Sequence, residues 1–407
     1  MMAKPKPFDL SSQAFKRDPM PVFDEMRNRG AVVPFDFPIF GKLWLAVTHE
    51  AAAAVLKNEQ DFVREPKNAG LKDHTYIRWW MPNFFLVLQD NMLGYDNPDH
   101  KRLRGLVDQA FARRGIEDLR RNIEEIADDL LDRMAEKSEA DIVAALARDL
   151  PLTVICELLG LPQEDQPKFK KWAGGITGAT NAFGIIRMLP GVFRLIRYLK
   201  GKFAEARVSP QEGLITALVE AEEEGDTLTE NELLSMVFLL FFAGHETTVH
   251  LIGDAVLALL QHDEQKQKLL DDWDRLPLVV EECLRYCSPV QMTKPRYAAR
   301  DLELAGHPLS QGENVIALIA AANCDPEKFD EPHRFDTERR PNPHLSFGTG
   351  IHFCLGIQLA RAETQIALQR LFTRFPKLEL AVDETNLEWH ERIGLRGLKA
   401  LPVRLAP

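Results

Sequence analysis

Between Thr229 and His262 the chain reads TENELLSMVFLLFFAGHETTVHLIGDAVLALLQH, and no other stretch restricts the fold as strongly. Thr229 with Glu232 three residues on is a capping-box start, and the apolar text that follows predicts one helix to about His262. At 1.5 Å per residue that helix spans roughly 50 Å, so it must run through the middle of the protein. Its own middle is anomalous. Phe241–His250 reads FFAGHETTVH; glycine and β-branched threonine are poor helix formers, and a carboxylate among phenylalanines is costly unless something uses it.

The remaining patterns surround this helix with more helix and a little strand. Residues 99–155 are dominated by helical spacing, as in IEDLRRNIEEIADDLLDRMAEK. Residues 168–205, interrupted by Gly, Thr and Pro, predict two or three shorter helices. LWLAVTHE alternates like a short strand, EAAAAVLKNEQ reads as a helix from near Glu50, and LPLVVEECLRYCSP as a helix stopped by Pro289. Short strands and turns are expected over 290–315, then a last long helix from about Leu355 to Phe375. The fold class is mainly α with a small β region. No linker or repeat divides the 407 residues, so residues 1–407 are expected to form one domain. Within it, a helix-rich lobe accompanies a smaller β-containing lobe drawn mostly from the N-terminal part and about 290–325.

Composition removes several function classes. A formal charge of −11 without a basic tail argues against nucleic-acid binding. The start, MMAKPKPFDLSSQ, has no apolar export core. The longest apolar run, around Met236–Gly244, is short of the ~20 residues that span a bilayer. A soluble, cytoplasmic chain is expected. Five cysteines, 156, 283, 287, 324 and 354, are too sparse for a disulfide framework.

One of those cysteines has a distinctive setting. FGTGIHFCLG places Phe347, Gly348, Gly350, His352, Cys354 and Gly356 just before a helix start, where amides and the helix dipole favour a thiolate. This loop resembles the haem-binding loop of the cytochrome P-450 family, Phe-x-x-Gly-x-His/Arg-x-Cys-x-Gly. Other segments agree with the family in order: Glu282 and Arg285 in EECLR, Arg334 in EPHRF, His100 and Arg104 in NPDHKRLRGLV, Arg296 in KPRYAARDLEL. The resemblance spans about residue 8 to the C-terminus.

The resemblance implies haem b (iron protoporphyrin IX) with Cys354 as the proximal ligand to iron. It implies propionate contacts from His100, Arg104, Arg296 and His352. It also implies further cofactor contacts from Ala243, Phe347 and Gly348, and a structural ion network of Glu282, Arg285 and Arg334. It accounts for the odd middle of the long helix, which matches the family's Ala/Gly-Gly-x-Asp/Glu-Thr motif. Ala243 and Gly244 leave room for dioxygen. Thr247 bonds back to a carbonyl, opens the helix locally and, with Glu246, delivers protons. His245 is expected to face away as a packing residue.

By the same resemblance the substrate pocket is lined by Leu239, Phe242, Val290 and Met292 and capped by Phe84, Phe85 and Leu86. Arg78 could meet a substrate carboxylate. The implied function is O2-dependent hydroxylation or epoxidation of a hydrophobic small molecule. Electrons are expected from a separate ferredoxin with its NAD(P)H-dependent reductase, docking on basic residues among Lys101, Arg102, Arg113, Arg114, Arg339 and Arg340. The resemblance implies a monomer. A haem-thiolate protein that binds or senses a ligand without turnover is the alternative, disfavoured by Glu246–Thr247. A zinc site at Cys324, His344, His352 and Cys354 fits no closed zinc spacing.

Overall fold

A computed structural model of the chain describes residues 8–37, 41–72, 91–112, 116–177, 182–223 and 228–405. The chain divides into two units, one of residues 1–79, 137–143 and 250–407, the other of 80–136 and 144–249.

The first unit carries the described strands. β1 (Val32–Phe37) and β2 (Gly41–Ala46) pair antiparallel, from Val32 opposite Ala46 to Phe37 opposite Gly41. β2 runs parallel to β8 (Asn314–Ala317), and β5 (Arg296–Ala298) and β3 (Phe62–Val63) extend the sheet in the order β1-β2-β8-β5-β3. Strand alternation then divides the apolar residues between two cores. Ala46, Val315 and Ala317 pack with Ala51, Ala52, Val55 and Leu56 of helix His49–Lys57. Leu45 and Ile316 point the other way, onto Phe15, Phe23 and Met26 of the N-terminal helices. A second sheet orders β4 (Glu139–Asp141), β10 (Pro402–Arg404) and β9 (Glu379–Leu380) as β4-β10-β9. Strands β6 (Leu302–Leu304) and β7 (His307–Leu309) make a hairpin. Helix Leu276–Cys287 has a proline in its first turn, where the missing N–H costs nothing, and it packs against helix Ile357–Arg374. The sequence places both helices and the short strands correctly.

The second unit is helical: Asp99–Ala112, Ile116–Ala135, Asp149–Leu159, Gln166–Thr177, Ala182–Val208 and Leu214–Glu223. Over 168–205, where two or three shorter helices are expected, two stand, Gln166–Thr177 and Ala182–Val208, the latter running through Pro190 for 27 residues. Val192, Leu195, Leu199 and Phe203 form a buried face at helical spacing, and that burial outweighs the lost backbone bond at the proline.

The long helix runs from Glu230 to Gln261, 32 residues, close to its predicted bounds. The capping box forms: the Thr229 amide donates to Glu232 Oε2 at 2.7 Å, and the Glu232 amide donates to Thr229 Oγ1 at 3.2 Å. By length and composition this helix could cross a membrane, contrary to the reading of its apolar run as too short, but 61% of its most apolar window is buried inside the protein. That is how the core helix of a folded domain is used.

Candidate active site

The cysteine loop is fixed from below before it reaches the thiol. The Leu345 amide donates to Asn323 Oδ1 at 2.7 Å, Asn323 Nδ2 donates to Ser288 Oγ and Ser346 Oγ at 2.9 Å each, and Ser346 Oγ donates to the Leu284 carbonyl at 2.7 Å. Above these, the Cys354 amide donates to the Phe347 carbonyl at 2.9 Å and the Phe353 amide to that of Gly350 at 3.0 Å. Gly350 has φ +76°, and a Cβ there would lie 2.4 Å from the Leu56 carbonyl oxygen, so only glycine lets the loop pass. The loop ends at Gly356, the cap of helix Ile357–Arg374.

Cys354 is half-buried, whereas the other four cysteines are buried. Burial pushes the Cys156 thiol up to about 12 and raises Cys283, Cys287 and Cys324 as well. Those four are held as inert thiols. Phe353, beside Cys354, is 41% exposed. An exposed aromatic residue beside a half-buried cysteine at a helix start is a setting that suits an apolar, thiolate-ligated group. Among the described residues no three His, Cys, Asp or Glu side chains converge on a metal-sized site, which leaves the zinc reading without a ligand set.

The brace under the loop differs from the expected one. Glu282 and Arg285 are paired twice, at 2.8 and 2.7 Å, with side chains 1% and 0% exposed. Arg285 also donates to the carbonyls of Asn323, Pro332 and Arg334 at 3.0, 2.7 and 2.9 Å. The third charge is Arg339, not Arg334. Arg339 Nε stands 3.4 Å from Glu282 with its side chain 9% exposed. The Arg334 guanidinium is 53% exposed and pairs with Glu331 at 2.9 Å. Arg334 contributes its backbone carbonyl because the 331–334 turn aims its side chain outward.

A second clamp was missed in the sequence. Arg361 donates Nε and Nη2 to the two oxygens of Glu281 at 2.7 Å each, His344 Nε2 lies 3.1 Å from Glu281, and the Arg361 guanidinium sits 5.3 Å from the Phe347 ring centre. Against the cost of burial, these partners hold the Glu281 carboxyl down at about 2. The signal was available: an acid beside Glu282 and an arginine one helical turn into the cysteine-loop helix.

In the second unit the long helix has one accessible stripe. Leu239, Phe242, Glu246 and Thr247 are half-buried and Ala243 is exposed, at positions three or four apart, with Phe238 and Gly244 half-buried beside them, while Val237, Leu240, Phe241, His245, Thr248 and Val249 are buried. Thr247 Oγ1 donates to the Ala243 carbonyl at 2.8 Å. The helix runs without a break through this back-bond, and the exposed residue at this level is Ala243. Gly244 has a different use from the one expected. A Cβ there would lie 3.1 Å from Ile155 Cδ1, so the glycine admits helix Asp149–Leu159. His245 is buried against Phe241, with rings stacked at 6.3 Å, and burial drops its pKa to about 4; it is a neutral packing residue.

Of the implied propionate partners, His100 is 3% exposed at the start of helix Asp99–Ala112, and Arg104 donates Nε to both Asp108 oxygens at 3.2 Å. Arg296 is buried in β5, with Nη1 donating to the Phe62 carbonyl at 3.1 Å, and His352 is half-buried in the cysteine loop. A guanidinium and imidazoles of this kind are a donor set that suits carboxylates. Val290 is half-buried and Met292 buried. Phe84, Phe85, Leu86, Arg78, Arg113 and Arg114 lie outside the described residues. Arg102 pairs with Glu232 and Arg339 is spent in the brace, so neither belongs to a free basic patch; Lys101 and Arg340 are exposed.

A sequence model of the cytochrome P450 family matches residues 41–396. The chain belongs to the cytochrome P450 family. It is 40% identical over 98% of both chains to the polyketide biosynthesis cytochrome P450 PksS of Bacillus subtilis, and 37% identical to the cytochrome P450 monooxygenase PikC of Streptomyces venezuelae over 99% of this chain and 95% of that one. Among solved structures, that of the myxobacterial cytochrome P450 CYP267B1 with myristic acid superposes with a TM-score of 0.90 at 37% identity, covering 98% of this chain and 99% of that one. A P450 of this kind is an O2-dependent monooxygenase, an oxidoreductase whose cofactor is haem b, and the residues present fit that cofactor.

Proposed function

We propose that this P450 hydroxylates or epoxidises a hydrophobic small molecule, taking its electrons from a separate ferredoxin and reductase in the cytoplasm. The observation that carries the reading is the accessible stripe on the long helix. A mostly buried helix leaves accessible in turn an apolar pair, Leu239 and Phe242, then a small residue, Ala243, then a carboxylate and a hydroxyl, Glu246 and Thr247. That order matches a substrate wall, a space for dioxygen and a proton source.

Cys354 is the thiolate ligand in this reading, and His100, Arg104, Arg296 and His352 hold the propionates, with Arg104 releasing Asp108 to do so. Ala243, Phe347 and Gly348 lie along the cofactor. Bound haem supplies the electron transfer and oxygen activation, favoured by thiolate donation. The chain's own groups control protons. The Thr247 hydroxyl, its own proton given to the Ala243 carbonyl, accepts from a water and holds that water in place as the proton donor; Glu246 carries protons in from solvent. Val290 and Met292 contribute apolar wall to the substrate pocket. A protein that only bound its ligand would have no use for the acid–alcohol pair.

Relatives of the chain include a mycinamicin IV hydroxylase/epoxidase of Micromonospora griseorubida and a 6-deoxyerythronolide B hydroxylase of Saccharopolyspora erythraea, and macrolide lactones join fatty acids as the first compounds to try. The test is twofold. The reduced, carbon-monoxide-bound protein should show the Soret band of thiolate ligation, and a surrogate ferredoxin and reductase with NAD(P)H should give oxygenated product from a ligand that shifts the spin state. A thiolate band with spin-shifting ligands but no product from any of them would favour the binding protein instead.

A further inference from the structure

A lysine with no solvent contact sits beneath the segment that carries Val290 and Met292. Lys16, on helix Gln13–Arg17, is 0% exposed, a costly place for an amine unless its hydrogen bonds are met. Its Nζ donates to Gln291 Oε1 at 2.6 Å and to the Leu395 carbonyl at 2.7 Å. Arg396 donates Nε to the Lys16 carbonyl at 2.7 Å and Nη1 to buried Asp254 at 3.1 Å. Burial brings Lys16 down to about 7; Arg396 and Arg392 push the same way, and Asp254 and Asp9 oppose them. A neutral amine still has two N–H groups for two acceptors, so these contacts survive loss of the proton.

The two segments that Lys16 touches are already joined to each other. The Gln291 amide donates to the Gly394 carbonyl at 2.8 Å, the Arg396 amide to that of Pro289 at 2.9 Å, and Val290 bridges Leu395 antiparallel. Their fit is close: a Cβ on Gly394 would lie 2.8 Å from Met292 Cγ. Backbone pairing fixes the two strips against one another but does not set where the ribbon stands. The N-terminal helix supplies that reference. It is docked through Gln13, which donates to the Trp389 carbonyl at 2.8 Å and accepts from the Trp389 amide at 3.0 Å.

We propose that Lys16 is a positioning residue for substrate selection, holding Gln291 and Leu395 so that the ribbon carrying Val290 and Met292 sets the width of the substrate pocket. This rests on the reading that Val290 and Met292 line that pocket. Lys16 touches neither substrate nor cofactor; it acts through Gln291.

The test uses purified holoenzyme and a panel of fatty acids of increasing length and macrolide lactones that shift the wild-type spin state. Lys16→Met and Gln291→Leu should each change relative affinities within the panel by tenfold or more, while haem content and the carbon-monoxide band stay at wild-type values. The double variant should reorder the panel no more than Lys16→Met alone, because both changes break one contact. Gln291→Leu keeps the Leu395 bond and decides the matter if Lys16→Met fails to fold. A lowered melting temperature with an unchanged ligand order in the folded variants overturns the proposal and leaves Lys16 a stabilising residue only. Met292→Phe, measured in parallel, tests the underlying reading. If it leaves the order unchanged, the pocket assignment itself falls; if it changes the order and the clamp variants do not, only the role of Lys16 falls.

Discussion

The cysteine loop and the middle of the long helix are built by opposite means. Under the loop, Asn323, Ser288, Ser346, Glu282, Arg285 and Arg339 bind one another and the backbone in a buried network. Along the helix stripe the Thr247 hydroxyl turns back onto its own helix, and the neighbours are small or apolar. On the proposed reading the first must hold an iron ligand still, and a loop determined many times over by bonds that cost a great deal to break suits that. The second would admit oxygen, protons and substrate, and there the polarity of the stripe is confined to Glu246 and Thr247.

The contrast is sharpest at Cys354. Cys354→Ser should abolish the thiolate Soret band and all turnover while the network below the loop keeps the fold; an unchanged carbon-monoxide spectrum would refute the ligand assignment. Next in size is Glu282→Gln, which leaves Arg285 and Arg339 buried without their carboxylate. Breaking a buried pair in this way costs about 3–5 kcal/mol, read as a lower denaturation midpoint and lost haem. A midpoint within the error of wild type would mean the network is not what holds the loop.

The clamp on Glu281 gives the loop an acid limit. Its folded pKa, about 2, lies below the ordinary 4.5. The depressed acid therefore contributes stability that is present above about pH 4.5 and disappears as the pH falls toward 2. The ceiling is about 3 kcal/mol, less what solvent screening removes. Glu281→Gln should flatten the acid limb of stability against pH; identical limbs in variant and wild type would break the assignment. On the open side of the comparison, Thr247→Ala should leave the fold, haem content and substrate affinity alone. It should lower product formed per electron consumed by about a hundredfold, the lower reach of what a positioned proton donor supplies. Undiminished coupling would remove Thr247 from the relay.

Local patterns were enough to read some of this in advance. The capping box at Thr229 and Glu232, the continuous apolar run and the glycine-flanked Cys354 each announce themselves within a dozen residues, and the fold class follows from such periods. What escaped notice depends on partners far away in the chain. Gly244 serves Ile155 of another helix. Glu281 meets Arg361 across 80 positions, and Lys16 meets Gln291 across 275. In the text ERRPN nothing distinguishes the arginine that turns inward from its neighbour. Burial is decided by the turn that precedes them, not by the charges themselves.

Arg334 is the smallest and most specific test of that point. Its guanidinium belongs to an exposed pair with Glu331, side chains 53% and 70% exposed, and such pairs add little to stability. The inward contact is made by the Arg334 carbonyl, which any residue retains. Arg334→Ala should therefore leave the denaturation midpoint close to wild type, whereas Arg339→Met removes a cation from buried Glu282 and should lower it clearly. Denaturation midpoints of the two variants, measured side by side with their haem content, decide which arginine braces the cysteine loop. Equal losses would return Arg334 to the network.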